Sequence, residues 1–594
     1  MRHGAQTGTS PSAGRPGRVV FVAMDHPLDG DAHLRERMAG AERRAERQAG
    51  RYPGLDLPSL QRGVHRNLRS LLLELDGRFT DLLDLMNYVR NGRRHVELTP
   101  RNVAAHHTLA TSATLNGIYM HQFLRSAGFD PVIVQNYALA DLPSVLEGAP
   151  LAVCISSNFV FMEDIKRMAR EIKACAPAVP VVAGGMLVKK VLEEGDDLSP
   201  QALGYLESFR GLVDAFVVEA QGEQTLARLL RSLQEGRGGE GVPNLARFDR
   251  DGRVWFSRRE PETLHMDATA VAWDEVPRNY LRPTLPVTTS RGCAYRCRFC
   301  TYHWLFPQVA FKSLDVLRDE LRRIARLGFV RHIRFTDDNF TANRRRLVRV
   351  LEMMIEEGFP FTWSSFARAS ALDPALVGLM RKAGCEFVDM GIESGSQLVL
   401  DNMDKRLERD QSLKAVRMLN DHGITARGSF IVGYPGETEE TFLETVDLIR
   451  ESRLPYYHPY LFYYSRNTLV HREREAFGLE GLGLAWRHNT MDSVEASELM
   501  ARMPRLIEPG LTDGQTYIEE IYKLLRGEGY AREAIRELFR LKREMVIAPG
   551  TDDPAAGAAL DRMEALVTRP EEAGDTVHAH CGSRQDPSKN PSSI

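Results

Sequence analysis

The sequence predicts an α/β protein in which a doubly wound, Rossmann-like domain precedes a partial (β/α)6 barrel of the TIM type and a helical C-terminal region. Short β-branched runs alternate with helical patterns from about Thr108 to Leu229, which is typical of a parallel sheet with helices on both faces. The alternation returns from His332 to Ser452, with enough units for half to three quarters of a barrel. Helical periodicity alone follows, over residues 497–546. The 594 residues are enough for two or three domains with full cores.

The N-terminal part of the chain predicts one strand and then a helical insertion. Residues 1–17 are rich in Gly, Ser, Pro and Arg, and we expect them to be disordered. The β-branched run Arg18 to Ala23 predicts the first buried strand. The insertion, about residues 31–100, contains two helical stretches, Asp31 to Arg51 and Arg66 to Asn91, and the second carries a stripe of leucines. We expect it to be a packing or lid element.

The first domain, residues 18–235, ends its strands in small or polar residues. Further strands are predicted at Pro131 to Val134, Leu151 to Ile155, Val179 to Ala183 and Ala215 to Val218, with helices at Leu115 to Ser126 and Met162 to Ala174. Ligands of such sheets bind at the carboxyl ends of the strands, where small residues let a large ligand approach the backbone. The residues at these ends are Ser156, Ser157, Asn158, Gly184, Gly185, and 219–223, which include Glu219 and Gly222.

A linker is predicted over residues 236–280, with a hairpin at Ala246 to Ser257 that turns at Asp251-Gly252. The barrel is predicted over residues 281–480 and the helical C-terminal region over 481–548, where it would cover the mouth of the barrel. The tail, residues 549–594, is rich in Pro, Gly and charge and is expected to be disordered.

The barrel region alternates regularly between strands and helices. The predicted strands are His332 to Thr336, Phe361 to Phe366, Phe387 to Ile392, Thr425 to Val432 and Tyr456 to Tyr464. The predicted helices are Arg344 to Glu357, Pro374 to Ala383, Asp410 to His422 and Thr438 to Ser452, followed in the C-terminal region by Ser497 to Glu508, Gly514 to Gly527 and Tyr530 to Val546.

Three cysteines, Cys293, Cys297 and Cys300, are spaced C-x3-C-x2-C just after the apolar run that starts the barrel. Thiolates so close on one loop can converge on one soft metal centre. A structural zinc site normally closes with four ligands, and His303 is the nearest candidate for a fourth. Three thiolates on a four-iron cluster would leave one iron open to a cofactor. We favour the cluster over zinc or free thiols.

Composition narrows the class of protein. A net charge of -3 with 26% charged residues gives no basic field for nucleic acid. No apolar run approaches a membrane span, and the N-terminus has no signal-peptide core, so we expect a cytoplasmic protein without a membrane partner. The remaining cysteines are scattered without a disulfide pattern, which fits a reducing compartment: they are Cys154, Cys175, Cys385 and Cys581.

With C-x3-C-x2-C after a first strand, the chain resembles the radical S-adenosylmethionine (radical SAM) superfamily. The resemblance implies a [4Fe-4S] cluster on Cys293, Cys297 and Cys300, with S-adenosylmethionine on the open iron and cleaved to a 5'-deoxyadenosyl radical. Phe299, between the last two cysteines, would lie by the adenine.

Later strand ends extend this resemblance. Asp337 and Asp338 stand where the family holds the amino group of S-adenosylmethionine, and an acceptor is what an ammonium needs. Arg368 follows the third barrel strand, where it would pair with the carboxylate. Two further segments resemble ribose-contacting and adenine-lining motifs: Gly391 to Gly395, with Glu393 and Ser394, and Gly428 to Glu437, with Gly433.

The first domain, placed before such a barrel, looks like the cobalamin-binding domain of B12-dependent radical SAM enzymes. The resemblance implies cobalamin at Ser156, Ser157, Asn158, Gly184, Gly185, Glu219 and Gly222. The D-x-H-x-x-G motif, whose His ligates cobalt in other cobalamin proteins, is absent, and His26 lies in a near miss at Asp25 to Gly30. His26 is therefore not assigned as a ligand.

The activity implied is methyl transfer from S-adenosylmethionine, via methylcobalamin, to an unactivated carbon or a phosphorus of a small or carrier-tethered metabolite. Relatives in this branch also catalyse ring formation, ring contraction or rearrangement, and a cobalamin-binding regulator with an inert barrel is a third alternative. A reductant such as flavodoxin or ferredoxin is implied as partner, and a role in specialised metabolism is the common setting. An aromatic cluster is expected to line a substrate pocket or fill the core: Tyr456, Tyr457, His458, Tyr460 and Tyr463.

Overall fold

The structure is a computed structural model that describes residues 17–568 apart from short gaps at 159, 193–199, 250, 263–264, 307, 509, 513–517, 549 and 551–552. The predictions made for residues 1–16 and for the tail beyond residue 568, which includes Cys581, lie outside the described residues.

The strands are short and most contain β-branched or aromatic residues. They are β1 Arg18–Val22, β2 Leu73–Leu75, β3 Arg78–Thr80, β4 Asp130–Val134, β5 Ala152–Ser156, β6 Val181–Gly184, β7 Ala215–Val217, β8 Leu245–Phe248, β9 Val254–Phe256, β10 Thr284–Val287, β11 Ser290–Arg291, β12 Ala310–Phe311, β13 His332–Phe335, β14 Thr362–Ala367, β15 Cys385–Glu393, β16 Thr425–Val432, β17 Tyr456–Leu461, β18 Glu480–Leu482 and β19 Ala485–Arg487.

The helices connect these strands and form the C-terminal region. They are α1 Gly30–Arg47, α2 Leu57–Arg69, α3 Leu82–Arg90, α4 Leu115–Ser126, α5 Leu142–Leu146, α6 Met162–Cys175, α7 Met186–Leu192, α8 Pro200–Glu207, α9 Glu223–Gln234, α10 Tyr302–Leu305, α11 Leu314–Arg326, α12 Arg344–Glu357, α13 Pro374–Lys382, α14 Gln397–Asn402, α15 Arg409–Asp421, α16 Glu439–Ser452, α17 Leu469–Arg472, α18 Ser493–Leu506, α19 Ile518–Glu528, α20 Arg532–Ile547 and α21 Pro554–Thr568.

The first sheet has the order β4-β1-β5-β6-β7-β8-β9. Its first five strands are parallel, and the order reverses beside β1, as in doubly wound folds. The hairpin β8-β9 then adds two antiparallel strands to β7. The predicted hairpin is present in residues 236–280, but it belongs to the first sheet and is not part of a linker, because buried Leu245 and Ala246 complete the sheet edge.

The second sheet is parallel, with the order β10-β13-β14-β15-β16-β17, and confirms the partial six-stranded barrel. Apolar residues of each strand that point outward pack under the surrounding helices, for example Ile333 and Phe335 of β13. This packing places the carboxyl ends of the six strands at one rim of the barrel.

The insertion is not purely helical. Where one helix was predicted over residues 66–91, α2 ends at Arg69 and the hairpin β2-β3 intervenes before α3. The cause is the Asp76-Gly77 turn, in which both residues have positive φ (48° and 75°). The leucine stripe continues through the hairpin because alternate strand residues Leu73 and Leu75 face the same core as α3.

The C-terminal region closes the end of the barrel opposite to the predicted one. Helix α19 binds the first residues of the strands: Thr284 Oγ1 donates to the Lys523 carbonyl (3.1 Å), and Arg526 pairs with Glu386 (2.8 Å). The rim at the carboxyl ends is therefore not covered by α19. The tail also contains a helix, α21, which packs on α3 and α20 through Ala559 and Met563, so the prediction of disorder from residue 549 is wrong for 554–568.

A buried chain of hydrogen bonds joins the two domains. Gln122 of α4 donates to the Ala270 carbonyl (2.8 Å) and accepts from the Ala272 N–H (2.7 Å). The neighbouring Val271 N–H and the Trp273 indole both donate to Glu320 of α11 (3.0 and 3.2 Å). Residues 270–273 are thus bonded to both domains at once.

Candidate active site at the facing strand ends

The cysteine loop, residues 290–300, leaves the barrel after β10. Gly292 has φ +91°, and a Cβ there would lie 2.4 Å from the Gln308 carbonyl oxygen, so the turn requires glycine. Cys297 is buried, whereas Cys293 and Cys300 are partly exposed. Burial raises the pKa of Cys300 to about 11, and the charges of Cys293 and Cys297 act in the same direction, so the three thiols lie close together.

The donor set fits an iron–sulfur cluster better than a zinc ion. Within the described ranges, no three His, Cys, Asp or Glu side chains converge at the distances of a single metal ion, so His303 does not complete a zinc site with the cysteines. In an iron–sulfur cluster each thiolate binds a different iron, so the sulfurs can stand further apart. Donors are present around the sulfurs: the Tyr302 N–H lies 3.4 Å from Cys300 Sγ, and Arg368 Nη1 lies 3.9 Å from Cys297 Sγ.

The two aspartates after β13 have different surroundings. Asp337 is buried, and both of its oxygens accept hydrogen bonds at 2.6 Å: one from the Thr289 N–H and the other from the Thr289 and Ser290 hydroxyls. Asp338 accepts from the Gly292 N–H (2.7 Å) through one oxygen, and its other oxygen has no partner among the described residues. Asp337 therefore anchors the base of the cysteine loop, and only Asp338 presents an open acceptor.

Arg368 lies beneath the cysteine loop. Its guanidinium carbon is 3.5 Å from the centroid of the Tyr295 ring, and its Nη2 donates to the Lys405 and Arg406 carbonyls. Its Nε is buried and has no partner among the described residues. An unpaired donor of a fixed guanidinium beside the cysteines fits the carboxylate of a ligand bound at the loop.

Glu393 and Phe299 meet through Lys405, a residue that the motifs did not indicate. Lys405 Nζ bonds Glu393 (2.8 Å) and lies 5.5 Å from the centroid of the Phe299 ring. Glu393 has φ +71°, which is strained for a non-glycine residue and is typical of functional sites.

Ser394 and Gly433 do not present side chains to the site. Ser394 is fully buried, with its hydroxyl 3.3 Å from Thr445 Oγ1. At Gly433 (φ +82°), a Cβ would lie 2.6 Å from both Ala496 and Trp486, so glycine is needed for packing, and only its backbone borders the rim.

The predicted cobalamin residues lie together at the carboxyl ends of β5, β6 and β7. Ser157 Oγ accepts from the Leu187 and Val188 N–H groups (both 3.2 Å), and Asn158 Oδ1 accepts from the Met186 N–H (3.1 Å). These side chains therefore cap α7.

The other members of this set shape the same edge. Ser156 Oγ accepts from Asn116 (3.1 Å), and Glu219 pairs with Lys189 (3.4 Å). A Cβ on Gly184 or Gly222 would meet Val217 at 3.1 or 2.3 Å, and one on Gly185 (φ +103°) would meet Asn158 Oδ1 at 2.8 Å. The edge is thus a surface of small residues and backbone, which suits a large flat ligand by shape.

This edge faces the cysteine loop. Lys189 Nζ lies 5.7 Å from the centroid of the Trp304 ring, four residues beyond Cys300, and the Lys190 carbonyl accepts from Asn467 of the barrel domain (3.2 Å). The strand ends of both domains therefore border one space. His26 follows β1 at this edge, with its backbone held by Asn136 (2.9 and 3.0 Å), and burial lowers its pKa to about 4.

The aromatic cluster divides between barrel interior and core. Tyr456 and Tyr457 are fully buried in hydrophobic cores, and Tyr463 is 66% exposed. His458 and Tyr460 lie on the same face of β17 with their rings 4.3 Å apart, and Tyr460 is 38% exposed.

Comparison with known proteins finds similarity in both domains. Residues 287–449, most of the barrel, match the family model of the radical SAM superfamily. The two-domain fold is similar to that of TsrM from Kitasatospora setae, a radical S-adenosylmethionine methyltransferase solved with cobalamin and a [4Fe-4S] cluster, which aligns over 78% of this chain and 97% of its own (TM-score 0.56, 16% identity). OxsB, solved with aqua-cobalamin, aligns over 77% and 82% (TM-score 0.51, 16% identity). These likenesses confirm the predicted fold class.

Curated relatives are similar over shorter stretches. An uncharacterised methyltransferase of Pyrococcus horikoshii is 30% identical over 250 residues, which are 41% of this chain and 54% of the relative. The anaerobic magnesium-protoporphyrin IX monomethyl ester cyclase of Rubrivivax gelatinosus is 24% identical over 358 residues, or 56% and 61%. The chain spans about half the length of the curated relatives it matches. No helix in the described ranges has the length and apolar character of a membrane span.

Proposed function

We propose that this protein is a cobalamin-dependent radical SAM methyltransferase that methylates an unactivated carbon, or a phosphorus, of a small or carrier-bound metabolite. The observation that carries the proposal is the shared space between the cysteine loop and the edge of the first sheet, which touch at Lys189 and Trp304. When bound, a [4Fe-4S] cluster with S-adenosylmethionine supplies a carbon-centred radical, and cobalamin supplies a methyl carrier.

The protein residues bind and orient these groups. Cys293, Cys297 and Cys300 hold the cluster, and Asp337 fixes the base of their loop. The open oxygen of Asp338 accepts from the ammonium group of S-adenosylmethionine, and the unpaired Arg368 Nε donates to its carboxylate.

Two further groups complete the S-adenosylmethionine site. Phe299 covers the adenine, and Glu393, oriented by Lys405, accepts from the ribose hydroxyls. The backbone at Gly433 borders the adenine. A flavodoxin or ferredoxin of a reducing cytoplasm supplies the electrons.

A second candidate is radical ring formation without methylation. It is favoured by the similarity to the Rubrivivax gelatinosus cyclase, which extends over 56% of this chain. Both candidates need the same cofactors and differ only in the fate of the methyl group.

The test is the cobalamin and iron content of protein produced without oxygen, with cobalamin supplied and the cluster reconstituted. We expect one cobalamin and about four irons per chain. Iron without cobalamin would contradict the proposal and leave a radical SAM enzyme with an unused first domain. With both cofactors present, methyl-labelled S-adenosylmethionine separates the candidates: label in the product supports methyl transfer, and an unlabelled cyclised product supports the alternative.

A further inference from the structure

The interior of the barrel contains a layer of charged residues. In β13, Ile333 and Phe335 pack outward, so His332 and Arg334 point inward. The same alternation brings Asp389 of β15 and Arg427 of β16 together in an ion pair inside the barrel. From the closed end, α19 adds Glu519 and Glu520, which both pair with Arg334, and Lys523, which pairs with Glu520 (2.6 Å).

The charges of this layer balance. Arg334, Arg427 and Lys523 stand against Asp389, Glu519 and Glu520. Although burial opposes ionisation, Arg334 and Lys523 lower the pKa of Glu520 to about 2, so its carboxylate is charged at neutral pH. Burial lowers the pKa of nearby His458 to about 3, so its imidazole is neutral.

Only two charged groups of the layer are accessible. The Glu520 side chain is 30% exposed and that of Arg334 is 19% exposed, whereas Asp389, Arg427, Glu519 and Lys523 are almost fully buried. The floor of the barrel therefore contains a carboxylate and a guanidinium that are paired with each other and are each partly exposed.

The next layer of the barrel interior, above the charged floor, consists of aromatic and small side chains. Tyr460, 38% exposed, has its hydroxyl 3.4 Å from Arg427 Nη2, and Phe366 stacks on the Arg334 guanidinium, 5.3 Å from ring centroid to carbon. Between their strands, Gly391 and Ser429 leave room, and both are half-buried. Above this layer come the strand ends with Asp338 and Arg368.

We propose that this lumen binds a substrate through a zwitterionic, amino-acid-like end, with its carboxylate on Arg334 and its ammonium on Glu520, and its remaining part between Phe366 and Tyr460. A neutral substrate would dehydrate both charged groups without replacing their water. A substrate with a net charge would leave one charge of a balanced, poorly solvated layer uncompensated. A zwitterion supplies a partner to each group and keeps the layer neutral.

The inference rests on the proposed function only in taking the lumen as the substrate side. It is tested by anaerobic titration calorimetry of the cofactor-loaded protein with each proteinogenic L-amino acid. For any that binds, its methyl ester and its decarboxylated amine are then titrated. We expect at least one amino acid to bind, and each derivative to bind at least about tenfold more weakly, because each derivative adds one unbalanced charge to the paired layer.

The matched variants are Glu520→Gln, which removes the floor charge while keeping the shape, and Glu533→Gln, which removes an exposed carboxylate of α20. Glu520→Gln should lower amino-acid affinity by about tenfold, and Glu533→Gln should leave it unchanged. Binding of no amino acid, equal binding of the ester, or unchanged affinity in folded Glu520→Gln overturns the inference. If Glu520→Gln fails to fold, the comparison of acid with ester on the unaltered protein decides alone.

The calorimetry measures binding and needs no catalytic turnover. The proposed methyltransferase function and the proposed substrate class can therefore be refuted independently. Protein that holds both cofactors but binds no amino acid refutes the substrate class alone. Amino-acid binding to protein that takes up no cobalamin refutes the methyl carrier alone.

Discussion

The two ligand-facing edges of this molecule are built differently. At the edge of the first sheet, the polar side chains are already bonded: Ser157 and Asn158 cap α7, and Glu219 pairs with Lys189. At the barrel rim, Arg368 Nε and one oxygen of Asp338 have no partner in the part of the chain that the structure describes. The first edge is therefore suited to bind by shape and backbone and the rim by charge, so substitutions should affect the two in different ways.

The largest effect should follow loss of one thiol. Cys293→Ala, Cys297→Ala and Cys300→Ala should each abolish iron binding and the broad cluster absorbance in the visible range, because these three thiolates are the proposed protein ligands of the cluster. Cobalamin content should stay at one per chain, because the first edge does not use these residues. Cys175→Ala, an exposed cysteine of α6, is the control. A full iron complement in any of the three variants would contradict the ligand assignment.

A methyl group added at the edge of the first sheet should have the reverse effect, with loss of cobalamin and retention of iron. Gly185→Ala places a Cβ 2.8 Å from Asn158 Oδ1 at φ +103°, and such strain costs about 1–3 kcal/mol. We expect cobalamin content to fall sharply while iron content stays the same. Gly204→Ala in α8 is the matched control, since its Cβ would meet no atom of the described residues within 4 Å. Equal cobalamin in both variants would show that the edge does not bind by shape.

The smallest effect concerns the charge of Asp338. Burial raises the pKa of Asp338 to about 6, although the hydrogen bond from the Gly292 N–H and the charge of Arg291 both lower it. The carboxylate therefore forms only above that pH. The affinity of cluster-loaded protein for S-adenosylmethionine should therefore fall as the pH drops through about 6. Asp338→Asn should weaken binding by about tenfold and remove this pH dependence.

Stability should respond to Asp338 in the opposite direction. Its pKa is 3.8 in the unfolded chain, and the folded carboxyl keeps its proton up to about pH 6. The free energy of unfolding that this group contributes therefore falls as the pH rises from about 4 to about 6 and is constant above. A binding curve of Asp338→Asn parallel to that of the unaltered protein would remove Asp338 from the site.

Most strands of both sheets could be predicted within one or two residues, because short β-branched runs between turn residues have few alternative structures. The exception is β17, which ends at Leu461, three residues before the predicted Tyr464. The β2-β3 hairpin could not, since Leu73 and Leu75 continue the leucine stripe of a helix, although Asp76-Gly77 is a turn signal. Helix α21 was not predicted because the tail that contains it is rich in Pro, Gly and charged residues.

The candidate site could be predicted where a residue type in a given spacing has one usual function. Three thiols at this spacing indicate a cluster, and the positions of Arg368 and Glu393 follow the strand ends. The separate roles of Asp337 and Asp338 depend on hydrogen bonds from Thr289 and Gly292, which only the folded chain brings together. The charged floor could have been predicted from the alternation of residues along the barrel strands. In β13, Arg334 lies between the buried apolar residues Ile333 and Phe335, so it must point into the barrel.

Residues 270–273, which bond Gln122 of the first domain and Glu320 of the barrel domain, limit where the chain can be cut into separate domains. A first domain cut at residue 235 would lose the two strands that complete its sheet, and its edge strand β7 would be exposed. A barrel that begins at residue 281 would lose Val271 and Trp273, which donate to one oxygen of Glu320, and would leave that carboxylate with its ion pair to Lys312 alone. Glu262 also belongs with the first domain, because its carboxylate accepts from the Gln224 and Thr225 N–H groups at the start of α9.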